Sequence, residues 1–218
     1  MKKIILLILF ATVLPTAAQE LTIKGNFPQI KNDSIQLIGF NALKDTVLAK
    51  SQCDTDGNFI LHYPKKYVGA ALLQIEKKSG VLVLLNNENF EINWTDIQTF
   101  SSLKFINSPE NDAFSEGIKI SQDSENKLTG LNYLKDLYRD DNQKQQWIEK
   151  EIAFQKTLFT DFVANLNPAS YARYYLVVRK LISDLPITAS RYIERLPLHE
   201  TQFNSIDFSD NHLLHSGL

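Results

Sequence analysis

One cysteine, four histidines and a turn rich in carboxylates are the side chains of this 218-residue chain best suited to chemistry. Cys53 stands alone, so an intramolecular disulfide, a C-x-x-C redox pair and a thiolate zinc cluster are all excluded. Asp54 and Asp56 sit beside it, and their charge disfavours the thiolate that a nucleophilic cysteine requires. Cys53 is therefore expected as a half-buried thiol at the end of a strand. The segment Asp54-Thr55-Asp56-Gly57-Asn58 is similar in outline to a calcium loop. A loop of that kind starting at Asp54 needs its glycine and its bidentate glutamate where Phe59 and Lys65 stand. A hairpin turn explains it better, because Gly57 supplies positive φ and the Asp side chains bond local backbone.

His212 and His215 are three residues apart, with Asp207 and Asp210 just upstream. On a helix both imidazoles would share a face, the spacing by which two histidines share a metal. Two histidines and one carboxylate fall short of a ligand set, so exposed or interface histidines are expected. His62 and His199 have no sequence neighbour to work with and read as structural. Tyr171, Tyr174 and Tyr175 with Arg173, Arg179 and Lys180 form an aromatic and basic cluster that could hold an anionic or aromatic ligand by cation–π contact. Their helical spacing says instead that the rings enter a core and the cations face water. Neither G-x-S-x-G nor H-E-x-x-H occurs. These residues nominate no catalytic group, no cofactor and no metal.

The elements that must carry these residues change period once. From Glu20 to Asn107 apolar residues alternate: Leu21 and Ile23, Ser34 to Ile38, Asp45 to Ser51, Phe59 to Tyr63, Ala70 to Glu76, Val81 to Leu85, Phe90 to Trp94, and Leu103 to Ile106. Seven or eight short strands with turns every ten residues or so, including a hairpin at Lys77-Lys78-Ser79-Gly80, predict an antiparallel β-sandwich over 19–108. At Ser108-Pro109-Glu110 a cap, a first-turn proline and a dipole-complementing acid open a helical region, 109–218. One face carries Leu128, Leu131, Leu134, Leu137 and Tyr138. A second helix carries Trp147, Ile148, Ile152, Phe159, Val163 and Leu166. Asn167-Pro168 opens a third, and Pro186 and Pro197 bracket a short fourth. The fold class is thus α+β, a sandwich followed by three to four helices. Ser209-Asp210 then caps a short helix at Leu213-Leu214 that has no evident partner, so the region reads as truncated at Leu218.

Composition sets the compartment. Lys2 and Lys3 precede the apolar run Ile4 to Phe10, and Thr16-Ala17-Ala18 supplies small residues at a cleavage point. These are the parts of an export signal over 1–18, and the apolar part is shorter than the roughly 20 residues a membrane span needs. The periplasm or cell envelope follows as the location, with no membrane span after cleavage. Without Lys2 and Lys3 the 23 basic residues become 21 against 25 acidic ones, a net charge near −4. An acidic chain lacks the clustered cations that nucleic-acid phosphates require.

Three stretches carry a family resemblance together. They are Leu21-Thr22-Ile23-Lys24-Gly25 with Asp45-Thr46-Val47 and Asp56-Gly57-Asn58-Phe59; the junction Ile106 to Phe114; and Ile206-Asp207-Phe208-Ser209-Asp210 leading to Leu213-Leu214. The chain resembles the N-terminal accessory region of exported bacterial thiol:disulfide oxidoreductases of the TlpA and ResA kind. In that group a β domain of unknown function and a helical segment precede a thioredoxin fold. The resemblance implies a non-catalytic interaction module whose partner is a thioredoxin-fold domain or another envelope protein. The family's C-x-x-C pair has no counterpart here, and Cys53 maps onto neither redox cysteine. The alternative is a stand-alone binding protein for a peptide, glycan or small ligand in the cleft between the halves. Export is checked directly: N-terminal sequencing of the secreted protein is expected to begin at Gln19, and a mature chain beginning at Met1 would remove the compartment.

Overall fold

The computed structural model describes residues 19–76, 80–191 and 196–218, so the export signal and the turn at 77–79 lie outside the described residues. All eight alternating stretches are strands: β1 (Glu20–Asn26), β2 (Ser34–Asn41), β3 (Lys44–Gln52), β4 (Asn58–Pro64), β5 (Gly69–Ile75), β6 (Gly80–Leu85), β7 (Phe90–Trp94) and β8 (Leu103–Ile106). They form two sheets, ordered β4-β1-β7-β8 and β3-β2-β5-β6. Every pairing is antiparallel except β1 with β7, which run parallel through Ile23↔Phe90 to Asn26↔Asn93. Period two builds the core directly. Leu21 and Ile23, Phe59 to Tyr63 at every second residue, and Phe90, Ile92 and Trp94 face inward from one sheet. Ile35, Leu37, Ala71, Leu73, Ile75, Val81, Val83 and Leu85 meet them from the other. Phe27 closes one end, edge-on to Phe59 at 5.0 Å and to Trp94 at 5.7 Å.

The helical layer is α1 (Pro109–Leu137), α2 (Asn142–Asn165), α3 (Tyr171–Arg191), α4 (Leu196–Asn204) and the single turn α5 (Asn211–Leu214). It covers the outer face of β5 and β6: Ala70 and Leu84 are fully buried with Tyr171, Ala172 and Tyr175 of α3, and Phe114 of α1 packs on them. That is why Val81 to Leu85 reads as a continuous apolar run, since both faces of the strand are covered. The helical region is therefore a second layer laid on a sheet. Asp141 caps α2 by accepting from the Lys144 N–H at 3.1 Å.

Several expectations about the helices are corrected. Pro186 lies inside α3, which continues to Arg191, because one proline removes a single i to i−4 bond without ending the ladder beyond it. Pro197 lies within α4 and not at a boundary before it. Leu137 and Trp147 are each 59% exposed. Leucines spaced by three drift about 60° per step around a helix, so Leu137 has rotated off the face that buries Leu131. Trp147 stands one residue before buried Ile148, about 100° away.

The largest correction concerns the end of the chain. The short helix does have a partner: residues 211–218 form a strap across the gap that opens between β2 and β5. The Ala42 N–H donates to the Leu214 carbonyl at 2.7 Å, and the Ala70 N–H to the His215 carbonyl at 2.8 Å. The Tyr67 hydroxyl fills the same gap, donating to the Ala70 carbonyl at 2.7 Å and accepting from the Phe40 N–H at 2.7 Å. Only glycine fits at Gly69, since a Cβ there would stand 2.4 Å from that of His215. Deleting residues 210–218 forfeits two backbone hydrogen bonds at about 1 kcal/mol each. The expected fall in Tm is roughly 4–8 °C for a domain of this size. Thermal melting checks this, and an unchanged Tm would mean that the strap holds nothing.

Candidate functional site

The two layers are joined by a buried polar network in the first turn of α1. Asn111, fully buried, continues the β6 edge with its side chain: Oδ1 accepts from the Leu84 N–H at 2.8 Å and Nδ2 donates to the Leu84 carbonyl at 2.9 Å. Nδ2 also donates to Ser108 Oγ at 2.8 Å, and that hydroxyl donates to Glu88 Oε1. Ser108 thus occupies the N-cap position of α1 while spending its hydroxyl on Glu88. Next to it, Glu110 reaches across to cap α3. Its Oε2 accepts from the Ala172 N–H at 2.7 Å and Ser170 Oγ at 2.8 Å, and its Oε1 from the Tyr171 N–H at 3.3 Å and Asn86 Nδ2 at 2.6 Å. The cap expected from Asn167 thus comes from another helix, while Asn167 Oδ1 accepts from Ala169 in a local turn. Burial pushes the Glu88 carboxyl up to about 7, the Ser108 hydroxyl works against this, and the neighbouring Glu110 carboxylate adds to it.

Beside this junction lies a groove of about 680 Å³ between the β6 edge, β8 and α1. Leu82, Leu103, Phe105, Phe114 and Ile118 form its walls, with Phe100 at its mouth, 65% exposed. Lys119 and Arg179 bring positive charge to it. Outward-pointing backbone groups alternate along an edge strand. Since the Leu84 N–H and carbonyl turn outward to Asn111, those of Leu82 turn outward as well, toward the groove. No partner for them occurs among the described residues.

The residues singled out by type and spacing are not brought together. Cys53 stands at the end of β3 as expected, but at 1% exposure it is fully buried in the sandwich core instead of half-buried, and out of reach of a substrate. The Asp54 turn is the expected one: Asp54 Oδ1 accepts from the Asp56 and Asn58 N–H groups at 2.8 and 2.9 Å, and Gly57 has φ 81°. The bonds from Asn58 hold the Asp54 carboxyl below its ordinary value. His212 and His215 are engaged separately. His215 Nδ1 lies 3.0 Å from the Val68 carbonyl, to which it donates, and its ring stacks on Tyr67 at 4.7 Å; His212 Nδ1 lies 2.9 Å from Asp210 Oδ1 and its ring stacks on Tyr171 at 5.7 Å. His62 Nδ1 is 3.4 Å from Thr22 Oγ1 on the sheet surface. Tyr171 and Tyr175 are each 2% exposed and belong to the sheet–helix core, as their spacing implied. The Tyr171 hydroxyl donates to the His212 carbonyl at 3.0 Å, and burial drives both phenols above their ordinary value. Arg179 opposes that rise in Tyr175.

Asn111, Glu88 and the groove residues escaped the sequence. Asn111 carried one signal, a polar residue on the face of α1 that the Pro109 start turns inward. Phe114 and Ile118 are one turn apart, but too few apolar residues surround them to mark a stripe. No family model matches the chain, and no curated protein or solved structure matches it either. Among the described residues no helix is long and apolar enough to cross a membrane, and no three His, Cys, Asp or Glu side chains stand where they could hold a metal.

Glu88 makes the junction sensitive to pH. Its carboxyl titrates near 7 in the folded chain against an ordinary 4.5, so the folded state keeps a proton that the unfolded state has lost between those values. Stability is therefore expected to fall as pH rises through that window. Melting curves across it should show Tm declining for the parent and staying flatter for Glu88→Gln, with the variant the more stable near pH 8. Parallel curves would show that Glu88 is not held protonated.

Proposed function

We propose that this chain is an exported, non-catalytic binding module that presents the groove at the β6 edge to an extended segment of a partner protein. One observation carries the reading: a free sheet edge at Leu82 opens into an apolar, aromatic-walled groove between the two layers. Strand addition uses these two parts, main-chain bonds for affinity and side-chain pockets for selection. The volume lies within the roughly 300–1,000 Å³ typical of binding sites. Lys119 and Arg179 favour a segment that carries an acidic residue or its terminal carboxylate. The non-catalytic part rests on chemistry: the one cysteine is buried, and a lone thiol cannot close a two-thiol exchange cycle. The resemblance noted above supports a thioredoxin-fold domain or another envelope protein as the partner.

Titration calorimetry of the mature chain against a purified exported thioredoxin-fold domain tests this. Binding is expected, and Phe100→Ala should weaken it by about tenfold, the loss typical of an aromatic anchor. Ile60→Ala, an exposed position on the opposite edge strand, should leave it unchanged. Equal binding by all three proteins, or none by the parent, would remove the groove from the account.

A further inference from the structure

A second pocket, of about 610 Å³, lies within the helical layer and is lined by residues of α1, α2, α3 and α4. Three buried side-chain atoms among the described residues have no hydrogen-bond partner: Ser124 Oγ, Gln155 Oε1 and His199 Nδ1. All three residues line this one pocket. Gln155 is 2% exposed and Ser124 5%. The orientation of the Gln155 amide is fixed by its other end, since Nε2 donates to Glu151 Oε1 at 2.7 Å and that carboxylate can only accept. Oε1 is therefore the atom left over, and it requires a donor. An unsatisfied buried polar atom carries an uncompensated desolvation cost, so three at one place call for a ligand or ordered water. The pocket, about 610 Å³, is large enough to take a small molecule as well as water.

We infer that this pocket binds a neutral, polyhydroxylated small molecule of mono- or disaccharide size. Hydroxyl groups match the three atoms, because each donates and accepts. The atoms are closed to water as the pocket stands, so the Ser124, Gln155 and His199 side chains must turn to present them to the ligand. Gln155 Oε1 takes a donated proton, Ser124 Oγ serves either way, and His199 Nδ1 does so according to its tautomer. Charge selects a neutral ligand. Lys180 Nζ is held 2.5 Å from Asp184 Oδ1 and 3.4 Å from Glu125 Oε1, and with Lys156 the lining carries two cations against two anions. Leu128, Phe159, Val163, Val177, Leu181 and Ile206 supply an apolar wall with one aromatic ring, the surface that the C–H face of a sugar covers. Gln155 lies three residues after buried Ile152 and seven after buried Ile148, a polar residue set on the inward stripe of α2.

The test is titration calorimetry and thermal melting of the full mature chain with glucose and maltose, beside glucuronate and glucosamine. A neutral sugar is expected to bind one to one and raise Tm, with the charged analogues at least tenfold weaker. Gln155→Leu should abolish the sugar-induced shift, yet melt no lower than the parent without sugar, because it removes an unsatisfied acceptor. Ser124→Ala, a smaller change, should weaken sugar binding while keeping the fold. Phe100→Ala, in the other groove, should bind sugar as the parent does, which separates this proposal from the docking of a partner protein. Absence of heat and of a Tm shift with both neutral sugars overturns it. So does a Gln155→Leu or Ser124→Ala variant that binds as well as the parent, or equal binding of the charged analogues.

Discussion

The helical layer is positioned by one side chain, Asn111, which gives the β6 edge what a ninth strand would have given it. Its amide offers an acceptor and a donor at the spacing of a peptide group, and Leu84 takes both. Helix and sheet have incompatible backbone periods, so backbone ladders cannot join them. A fully satisfied amide, buried between apolar residues, can join them in one register only. Glu110, one residue before it, fixes the next helix by holding its first N–H groups. Two adjacent residues therefore set α1 against the sheet and α3 against α1. Burying a carboxylate there is tolerable because four donors surround it.

The same economy explains which parts of the fold were legible in the sequence. All eight strands were, since the stretches from Leu21 to Ile106 keep period two and the sandwich interior accepts whatever alternates. The parallel pairing of β1 with β7 was not, because strand order is decided by which edges remain when the chain returns, and no residue records it. The cap on α3 was invisible for a related reason: Glu110 sits some sixty positions from the amides it holds. Trp147 and Leu137 show the limit from the other side. Apolar type alone does not place a residue on a buried face, and rotation about the helix axis carried both into solvent.

Sites were harder still. Histidine, cysteine and carboxylate pairs attract attention by type, and here they proved to be turn, core and strap. Ser124 and Gln155 are ordinary residues whose interest lies in one side-chain oxygen each that has no partner, and partners are a property of three dimensions. Their one legible trace was periodic. Gly117, Ser124 and Leu131 fall seven apart on the buried face of α1, as Gln155 does with Ile148 on α2.

The strap that closes the gap between β2 and β5 has a bearing on the order of folding. His215 meets Val68 at a sequence separation of 147, against the short separations of the hairpins around it. Loop-closure entropy grows with that distance, so this contact carries a larger closure cost than the hairpins around it. With the strap undocked the β2–β5 gap stands open, and the Ala70 amide and the Tyr67 ring meet water. Until residues 211–218 dock, the molecule is a folded body with an unlatched end.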